Sequence, residues 1–458
     1  MKKYFLDPFG CVKNQVDAEN MMAFLNDAGW ESVSSAEDAD VIIVNSCAFI
    51  ESAKQESINA VLEWRKSLPN AKIILSGCLA QRYSNELSKS LPEADCLFGV
   101  EDISQIVSAA EAALAAAVCG SAPGEVMRET PALLTGERPL LSLPCSAYVK
   151  ISEGCDNRCS FCAIPLIRGR LRSRAVPGIV EECRVLLARG IKEICIIGQD
   201  TGSFGTDGKE NAVSKLPELL DAVSSLEGRF WVRLLYIHPD HFPFSILDIM
   251  EKDPRFLPYF DIPFQHASPA LLHAMNRRGA AEGYLDLLSA IRGRLPNAVI
   301  RSTFLLGFPG ETENDFKALL DFQDKAALDW LGCFAYSREE GTKAYSLPAQ
   351  VSRKTALRRK KIIEERQIAI TEKKMDRFTG QTLDALVEEE VDERLLLGRL
   401  YCQAPDVDGL AVIVGAKGVV KPGCLVSCKV VARRGFDLEV RIVEEEINHE
   451  PHEQNRRD

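Results

Sequence analysis

Over the first 117 residues, short apolar runs alternate with longer stretches of helical periodicity. The runs at 4–10, 40–46 and 72–77 read as strands, and helical stretches at 15–28, 52–67 and 81–91 follow them, an order that predicts a doubly wound α/β domain. An Ala-rich stretch occupies 103–118. A second series then opens with six strand-like runs at 147–152, 193–197, 231–237, 259–264, 299–306 and 330–336. Helical segments fall between them, among them 177–189, 216–226, 284–294 and 313–326. Six successive βα units predict a partial (βα)6 TIM-like barrel whose chemistry sits at the C-terminal strand ends. Beyond a charged helical segment at 352–374, short alternating strands with turns at Asp408-Gly409 and Pro422-Gly423 predict a small antiparallel β-barrel.

The expected organisation of this α/β chain is an N-terminal domain at 1–118, a connection at 119–144, a barrel with its helical extension at 145–374, a terminal β-barrel at 375–447 and a flexible polar tail at 448–458.

With 458 residues, 46% hydrophobic and 26% charged, the composition is that of a globular protein. No apolar run reaches the roughly 20 residues of a membrane span. The N-terminus meets Asp7 and Pro8 before a signal-peptide core can form, so a cytoplasmic protein with no membrane partner is expected. Fifteen cysteines in that compartment point to metal or redox chemistry rather than to disulfides. A net charge of −11 excludes a surface built throughout to neutralise phosphates.

Directly after the first barrel strand comes Cys155-Asp156-Asn157-Arg158-Cys159-Ser160-Phe161-Cys162, three thiols that one tight loop can wrap around a compact cofactor. Structural zinc takes four ligands, whereas three thiolates suit a four-iron, four-sulfur cluster with one open iron. Cys11, Cys47 and Cys78 each end one of the first three strands, so all three should meet at the carboxyl edge of that sheet. They read as a second cluster site or as buried core cysteines. Gly198-Gln199-Asp200, Gln265-His266 and Gly307-Phe308-Pro309-Gly310-Glu311 close later strands, and Arg301 and Thr303 alternate on the fifth. Gly307 and Gly310 also suit plain turns, and His266 a structural hydrogen bond.

Cys-x3-Cys-x2-Cys with an aromatic before the last cysteine resembles the radical S-adenosylmethionine superfamily. That resemblance implies a cluster whose open iron binds S-adenosylmethionine and whose reduction yields a 5′-deoxyadenosyl radical. It sets Phe161 against the adenine, although simple packing beside the cluster is the alternative; Gln199, Gln265 and Arg301 are candidates for cofactor contact by their places at the barrel mouth. Gly10-Cys11-Val12-Lys13-Asn14-Gln15-Val16-Asp17-Ala18-Glu19, Asn45-Ser46-Cys47 and Ser76-Gly77-Cys78 resemble the methylthiotransferase branch. The likeness spans nearly the whole chain, including a terminal barrel similar to a TRAM domain. It implies two 4Fe-4S clusters, ligated by Cys155, Cys159 and Cys162 and by Cys11, Cys47 and Cys78. S-adenosylmethionine then serves as both methyl donor and radical source, and the N-terminal cluster carries the sulfur. The other nine cysteines, Cys96, Cys119, Cys145, Cys183, Cys195, Cys333, Cys402, Cys424 and Cys428, read as packing residues.

The branch modifies either an adenosine of transfer RNA or an aspartate of small-subunit ribosomal protein twelve. Lys13-Asn14-x-Val16-Asp17, Ile151-Ser152-Glu153-Gly154, Pro239-Asp240-His241-Phe242-Pro243 and Gly332-Cys333-Phe334-x-Tyr336-Ser337 resemble the aspartate-modifying members. Leu166 departs from them, standing where Ser is expected. Residues 378–446 carry 8 Lys and Arg against 13 Asp and Glu, a balance that suits a basic ribosomal protein better than RNA. Glu388-Glu389-Glu390, Asp392-Glu393 and Glu444-Glu445-Glu446 are the candidate contacts, or simply solvated faces. Arg358-Arg359-Lys360-Lys361 could instead touch ribosomal RNA. The reading is therefore a monomeric enzyme served by an electron donor, adding a methylthio group to the β-carbon of that aspartate, on the free protein or the small ribosomal subunit. A transfer-RNA methylthiotransferase is the alternative. More distant is a non-catalytic iron–sulfur or zinc protein that binds ribosomes.

Overall fold

The computed structural model describes residues 1–115, 137–208, 212–392, 394–415 and 420–443. Most of the connection, Cys119, Glu393, Glu444-Glu445-Glu446 and the tail lie outside them.

Five parallel strands form the first sheet: β1 (Lys3–Pro8), β2 (Glu31–Ser32), β3 (Val41–Ser46), β4 (Lys72–Gly77) and β5 (Cys96–Phe98), in the order β2-β1-β3-β4-β5. Every residue of β3 is buried, as expected of a strand packed on both faces. β2 and β5 have no counterpart in the sequence reading. Two exposed residues and a three-residue run are too short to give a periodic signal. The helix read at 81–91 is two, Cys78–Arg82 and Ser84–Ser90, with the break at Tyr83.

The central domain holds β6 (Ser146–Lys150), a small antiparallel ribbon of β7 (Ser152–Glu153) and β8 (Arg172–Ser173), then β9 (Glu193–Ile197), β10 (Trp231–Leu234), β11 (Phe256–Asp261), β12 (Val299–Leu306) and β13 (Trp330–Ala335). Apart from β7 and β8 these make one open parallel sheet, β13-β12-β11-β10-β9-β6, so the barrel is partial, as expected. β11 begins three residues before its expected start, and Pro258, which removes a ladder donor, lies within it. The pairing with β10 steps from Phe256 to Phe260 across that point. Side chains alternate along these strands: Ile194 and Ile196 pack outward with Val232 and Leu234, while Cys195, Trp231, Tyr259, Val299 and Trp330 face inward.

The C-terminal strands β14 (Thr382–Asp392), β15 (Leu395–Leu400), β16 (Ala411–Val414), β17 (Leu425–Arg434) and β18 (Asp437–Ile442) close into a barrel in the order β14-β15-β16-β18-β17. The pair β16–β18 is parallel, which corrects the wholly antiparallel expectation. The inner side chains of the partial barrel share one apolar core with this domain, including Leu386, Leu400 and Cys402. Residues 401–408 enter the open lumen: Trp330 Nε1 donates to the Cys402 carbonyl at 2.8 Å, Tyr148 Oη to Asp406 at 3.1 Å and Tyr259 Oη to Asp408 at 2.6 Å. Beneath them Arg399 pairs with Glu193 and Glu388, both buried. Glu388 is therefore internal and not a surface contact, whereas Glu389, Glu390 and Asp392 are exposed.

The helix Arg353–Asp376 joins the two barrels. Of its basic run, Arg359 turns inward to Glu311 at 3.0 Å, and Lys360 and Lys361 meet Glu364 and Glu365 one turn on.

Candidate active site

Each cysteine of the N-terminal triad sits where a strand gives way to its connection. Cys11 is the N-cap residue of the sixteen-residue helix Val12–Asp27, Cys47 follows β3, and Cys78 opens the short helix after β4. Gly77, at φ +94°, makes the turn into Cys78. A Cβ there would lie 2.6 Å from the Ser46 carbonyl, so any side chain would push β4 away from β3. The three thiols converge. Asn14 Oδ1 lies 3.7 Å from the Cys11 sulfur and 3.4 Å from that of Cys78, and burial pushes Cys47 up to about 11, with Cys11 and Cys78 adding to the shift.

The second triad lies on the loop between β7 and β8. Gly154, at φ +73°, lets the loop depart: a Cβ would fall 2.0 Å from the Arg170 carbonyl. Cys162 N donates to the Cys159 carbonyl at 3.0 Å, and Asn276 Nδ2 fastens the carbonyls of Asn157 and Arg158. Burial raises all three thiols, each with further influence from charged neighbours, and holds Cys162 at about 12. Thiols so placed need a positive partner to ionise. Arg277 supplies one at Cys159, and Arg168, 3.3 Å from the Cys78 sulfur, supplies the other.

Arg168 also connects the two triads. Its Nη1 reaches Asp17 at 2.9 Å and Glu153 at 3.0 Å, and its Nη2 reaches Asn14 at 2.7 Å. Lys150 bonds the same Asp17 and Glu153. Against burial, Arg168 and Lys150 hold Glu153 well below the usual carboxylate range. A second tie joins Arg82 and Lys54 to the buried Glu339 at 2.8 and 3.1 Å.

Among the described residues no three His, Cys, Asp or Glu side chains, the two triads included, are drawn together tightly enough to grip a single metal ion. Two sets of three thiols with cations beside them fit a larger anionic inorganic core better than a lone zinc ion, which takes four close ligands.

The remaining strand-end residues divide by role. Gln199 Nε2 donates to Glu153 at 3.0 Å, leaving its buried Oε1 unpartnered. Gln265 bridges to β12 through a left-handed backbone at φ +69°. Arg301 faces the lumen beside Asp261 at 3.3 Å, and Phe161 packs, partly buried, on the barrel's outer core. Asp200 braces the cysteine loop through Asn157 Nδ2 at 2.9 Å. His266 is fully buried and its Nδ1 accepts from Ser268 N at 3.0 Å; burial lowers it to about 4. That favours the structural reading. Glu311 accepts from the amides of Gly307 and Phe308 and from Arg359, so its segment anchors the long helix.

Arg277, Tyr236 and the bridging role of Arg168 escaped the sequence reading. A tertiary ion pair leaves no periodic trace, and the one hint was the basic run Arg168-Gly169-Arg170 behind the last cysteine. Leu166, where the sequence departs from the expected pattern, is 52% exposed and stands clear of this network. Thirteen described cysteines carry free thiols; Cys96 packs in the first domain's core as read but is disulfide-bonded, against the expectation of no disulfides, and Cys424, read as a packing residue, is exposed instead.

Comparison with known proteins gives this geometry its class. Residues 3–99 match the Uncharacterized protein family UPF0004, 149–322 the Radical SAM superfamily and 379–443 the TRAM domain. Ribosomal protein uS12 methylthiotransferase RimO of Treponema denticola is 45% identical over 464 residues, covering 95% of this chain and 99% of its own length. The proteins of that name from Thermotoga maritima and Clostridioides difficile are 41% and 37% identical, over 90% and 96% of this chain and 93% and 98% of their own. Among solved structures, the radical S-adenosylmethionine methyltransferase TsrM from Kitasatospora setae shares the fold at a TM-score of 0.53 and 14% identity, over 73% of each chain.

A radical S-adenosylmethionine barrel preceded by a second cysteine triad and followed by a TRAM barrel defines a radical methylthiotransferase that uses S-adenosylmethionine and 4Fe-4S clusters. At these identities over nearly its full length, the chain belongs to the ribosomal protein uS12 methylthiotransferase (RimO) family.

Proposed function

We propose that this chain attaches a methylthio group to the β-carbon of an aspartate in ribosomal protein uS12. In this reading Cys155, Cys159 and Cys162 hold one 4Fe-4S cluster, Cys11, Cys47 and Cys78 hold the other, and Phe161, Gln199, Gln265 and Arg301 contact S-adenosylmethionine. The observation that carries it is the buried network of Asp17, Lys150, Glu153 and Arg168. It clamps the helix that Cys11 begins onto the strand end from which the Cys155 loop departs, and its Arg168 reaches Cys78. When bound, the clusters and S-adenosylmethionine supply the radical, the methyl group and the sulfur.

The chain's own residues keep the two triads at one interface and place cations beside the thiols of Cys78 and Cys159. Support for the substrate comes from the name that the relatives carry and from the exposed acidic edge Glu389, Glu390 and Asp392, which complements a basic ribosomal protein. The partners are then uS12, free or on the small subunit, and an electron donor, with the enzyme acting as a monomer. No helix among the described residues is long and apolar enough to cross a membrane.

The test is an anaerobic assay of the reconstituted enzyme with S-adenosylmethionine and a strong reductant, offered uS12 and transfer RNA in parallel. Mass spectrometry should find a methylthio gain on an aspartate of uS12. The same gain on transfer RNA alone would overturn the substrate, and no gain on either would return the enzyme to the class of cluster-binding proteins.

A further inference from the structure

Lys13, two residues past Cys11, carries its side chain out of the N-terminal domain to the central barrel, where Nζ lies 2.8 Å from the centroid of the Tyr236 ring. The residue is only 8% exposed. A buried ammonium needs an anion, and the neighbouring cations have theirs. Lys150 and Arg168 share Asp17 and Glu153, and Arg301 has Asp261 and Asp408. Lys13 feels Cys11, Asp261 and Glu153 only from a distance: among the described residues no carboxylate or carbonyl is within hydrogen-bond reach of its ammonium, and a ring face is a weak substitute for a carboxylate.

The ring beneath it is held in place. Tyr236 adopts a left-handed backbone at φ +64°, unfavourable for an aromatic residue. Its amide donates to Asp261 at 3.3 Å and its carbonyl accepts from Thr201 N at 2.9 Å. Such strain persists where the surroundings over-determine it, which is common where a ligand must be met.

We propose that Lys13 determines substrate specificity, its ammonium receiving the side-chain carboxylate of the substrate aspartate between the two cysteine triads. This rests on the uS12 reading above. An acidic side chain brings the direct anionic partner that no described residue gives this ammonium; a neutral adenine does not. The carboxylate is bonded directly to the β-carbon, so fixing one orients the other for reaction.

The test uses the reconstituted holoenzyme, uS12 with its native aspartate and uS12 with asparagine in its place. Initial rates of methylthio product are read alongside iron per chain. The wild-type enzyme should prefer the aspartate protein by about 100-fold in kcat/KM, the loss typical of leaving a buried charge unpaired. Lys13→Met should raise KM for the native protein and bring the aspartate-to-asparagine ratio close to one, while Lys13→Arg keeps most of the preference. A wild-type enzyme that modifies both proteins equally would overturn the proposal without recourse to any variant. So would a Lys13→Met enzyme that loses iron yet keeps the wild-type ratio, since the ammonium would then be answering the cluster's charge. Absence of product from the wild-type enzyme on native uS12 would instead overturn the substrate reading, and the role of Lys13 with it.

Discussion

Asp408 and Arg301 belong to different domains and meet inside the central barrel, with Asp408 Oδ1 3.6 Å from Arg301 Nε. Asp408 also accepts from Tyr259 Oη at 2.6 Å and from Ala404 N at 2.8 Å, yet burial outweighs these contacts and raises its carboxyl to about 6. The folded state therefore binds this proton more tightly than the unfolded chain, whose carboxyl titrates near 3.9. Between those values stability rises as pH falls, and above pH 6 the ionised group costs about 3 kcal/mol. Asp408→Asn keeps an acceptor for Tyr259 and removes the titration. Thermal unfolding should show the variant gaining on the wild type as pH rises from 4 to 7 and level with it near pH 4. A pH-independent difference would show that Asp408 does not titrate in this range.

Arg168→Met would leave Asp17 and Glu153 buried with Lys150 alone to answer them. Removing one member of a buried charge network typically costs 3–5 kcal/mol. The thiol of Cys78 would also lose its nearest cation. The expected outcome is a lower unfolding temperature together with iron content falling from about eight per chain towards four, as the N-terminal triad fails first. Full iron with unchanged stability would show that the two triads hold together without this residue.

Much of this architecture was legible in the sequence because it is written in local pattern. β9 and β12 begin and end where their apolar runs do, and Cys11, Cys47 and Cys78 meet because each follows a strand of one parallel sheet. The illegible parts are tertiary. Glu388 lies in a run of three acids that reads as solvated surface, yet a partner eleven residues away, Arg399, draws it inside. The left-handed backbone of Tyr236 and the Lys13 ammonium over its ring depend on what the barrel places around them, which no periodicity encodes.

The two triads should fail differently. Cys159→Ala removes a thiol of the loop whose motif resembles the radical-generating site, so deoxyadenosine formation should fall below detection in an anaerobic assay read by chromatography. Cys47→Ala alters the other triad, where S-adenosylmethionine cleavage should persist while methylthio transfer is lost. Deoxyadenosine from the first variant, or methylthio product from the second, would reassign the cysteines.

Gly154→Ala puts a Cβ 2.0 Å from the Arg170 carbonyl at a backbone angle that only glycine adopts easily. Either the β7–β8 ribbon opens or the loop carrying Cys155 shifts. Strain of this kind commonly exceeds 1 kcal/mol, and it acts on the loop rather than on the core. The variant should fold at close to the wild-type temperature but lose iron from the second triad and, with it, S-adenosylmethionine cleavage. Full iron content would mean that the loop can leave its strand by another turn.

The C-terminal barrel invites reading as a substrate grip alone, but its first contribution is to close the central domain. Trp231, Leu235, Leu257, Tyr259, Val299 and Trp330 bury their inward faces in a core shared with it. At about 1.5–3 kcal/mol for each large side chain returned to water, exposing six of them would cost about 9–18 kcal/mol, as much as the 5–15 kcal/mol that holds a typical domain together. A chain ending at Asp376 should therefore aggregate, or unfold more than about 15 °C below the full-length protein. A truncated chain that stays soluble, unfolds at the wild-type temperature and still cleaves S-adenosylmethionine would show that the partial barrel stands unaided and that residues 377–458 serve substrate binding alone.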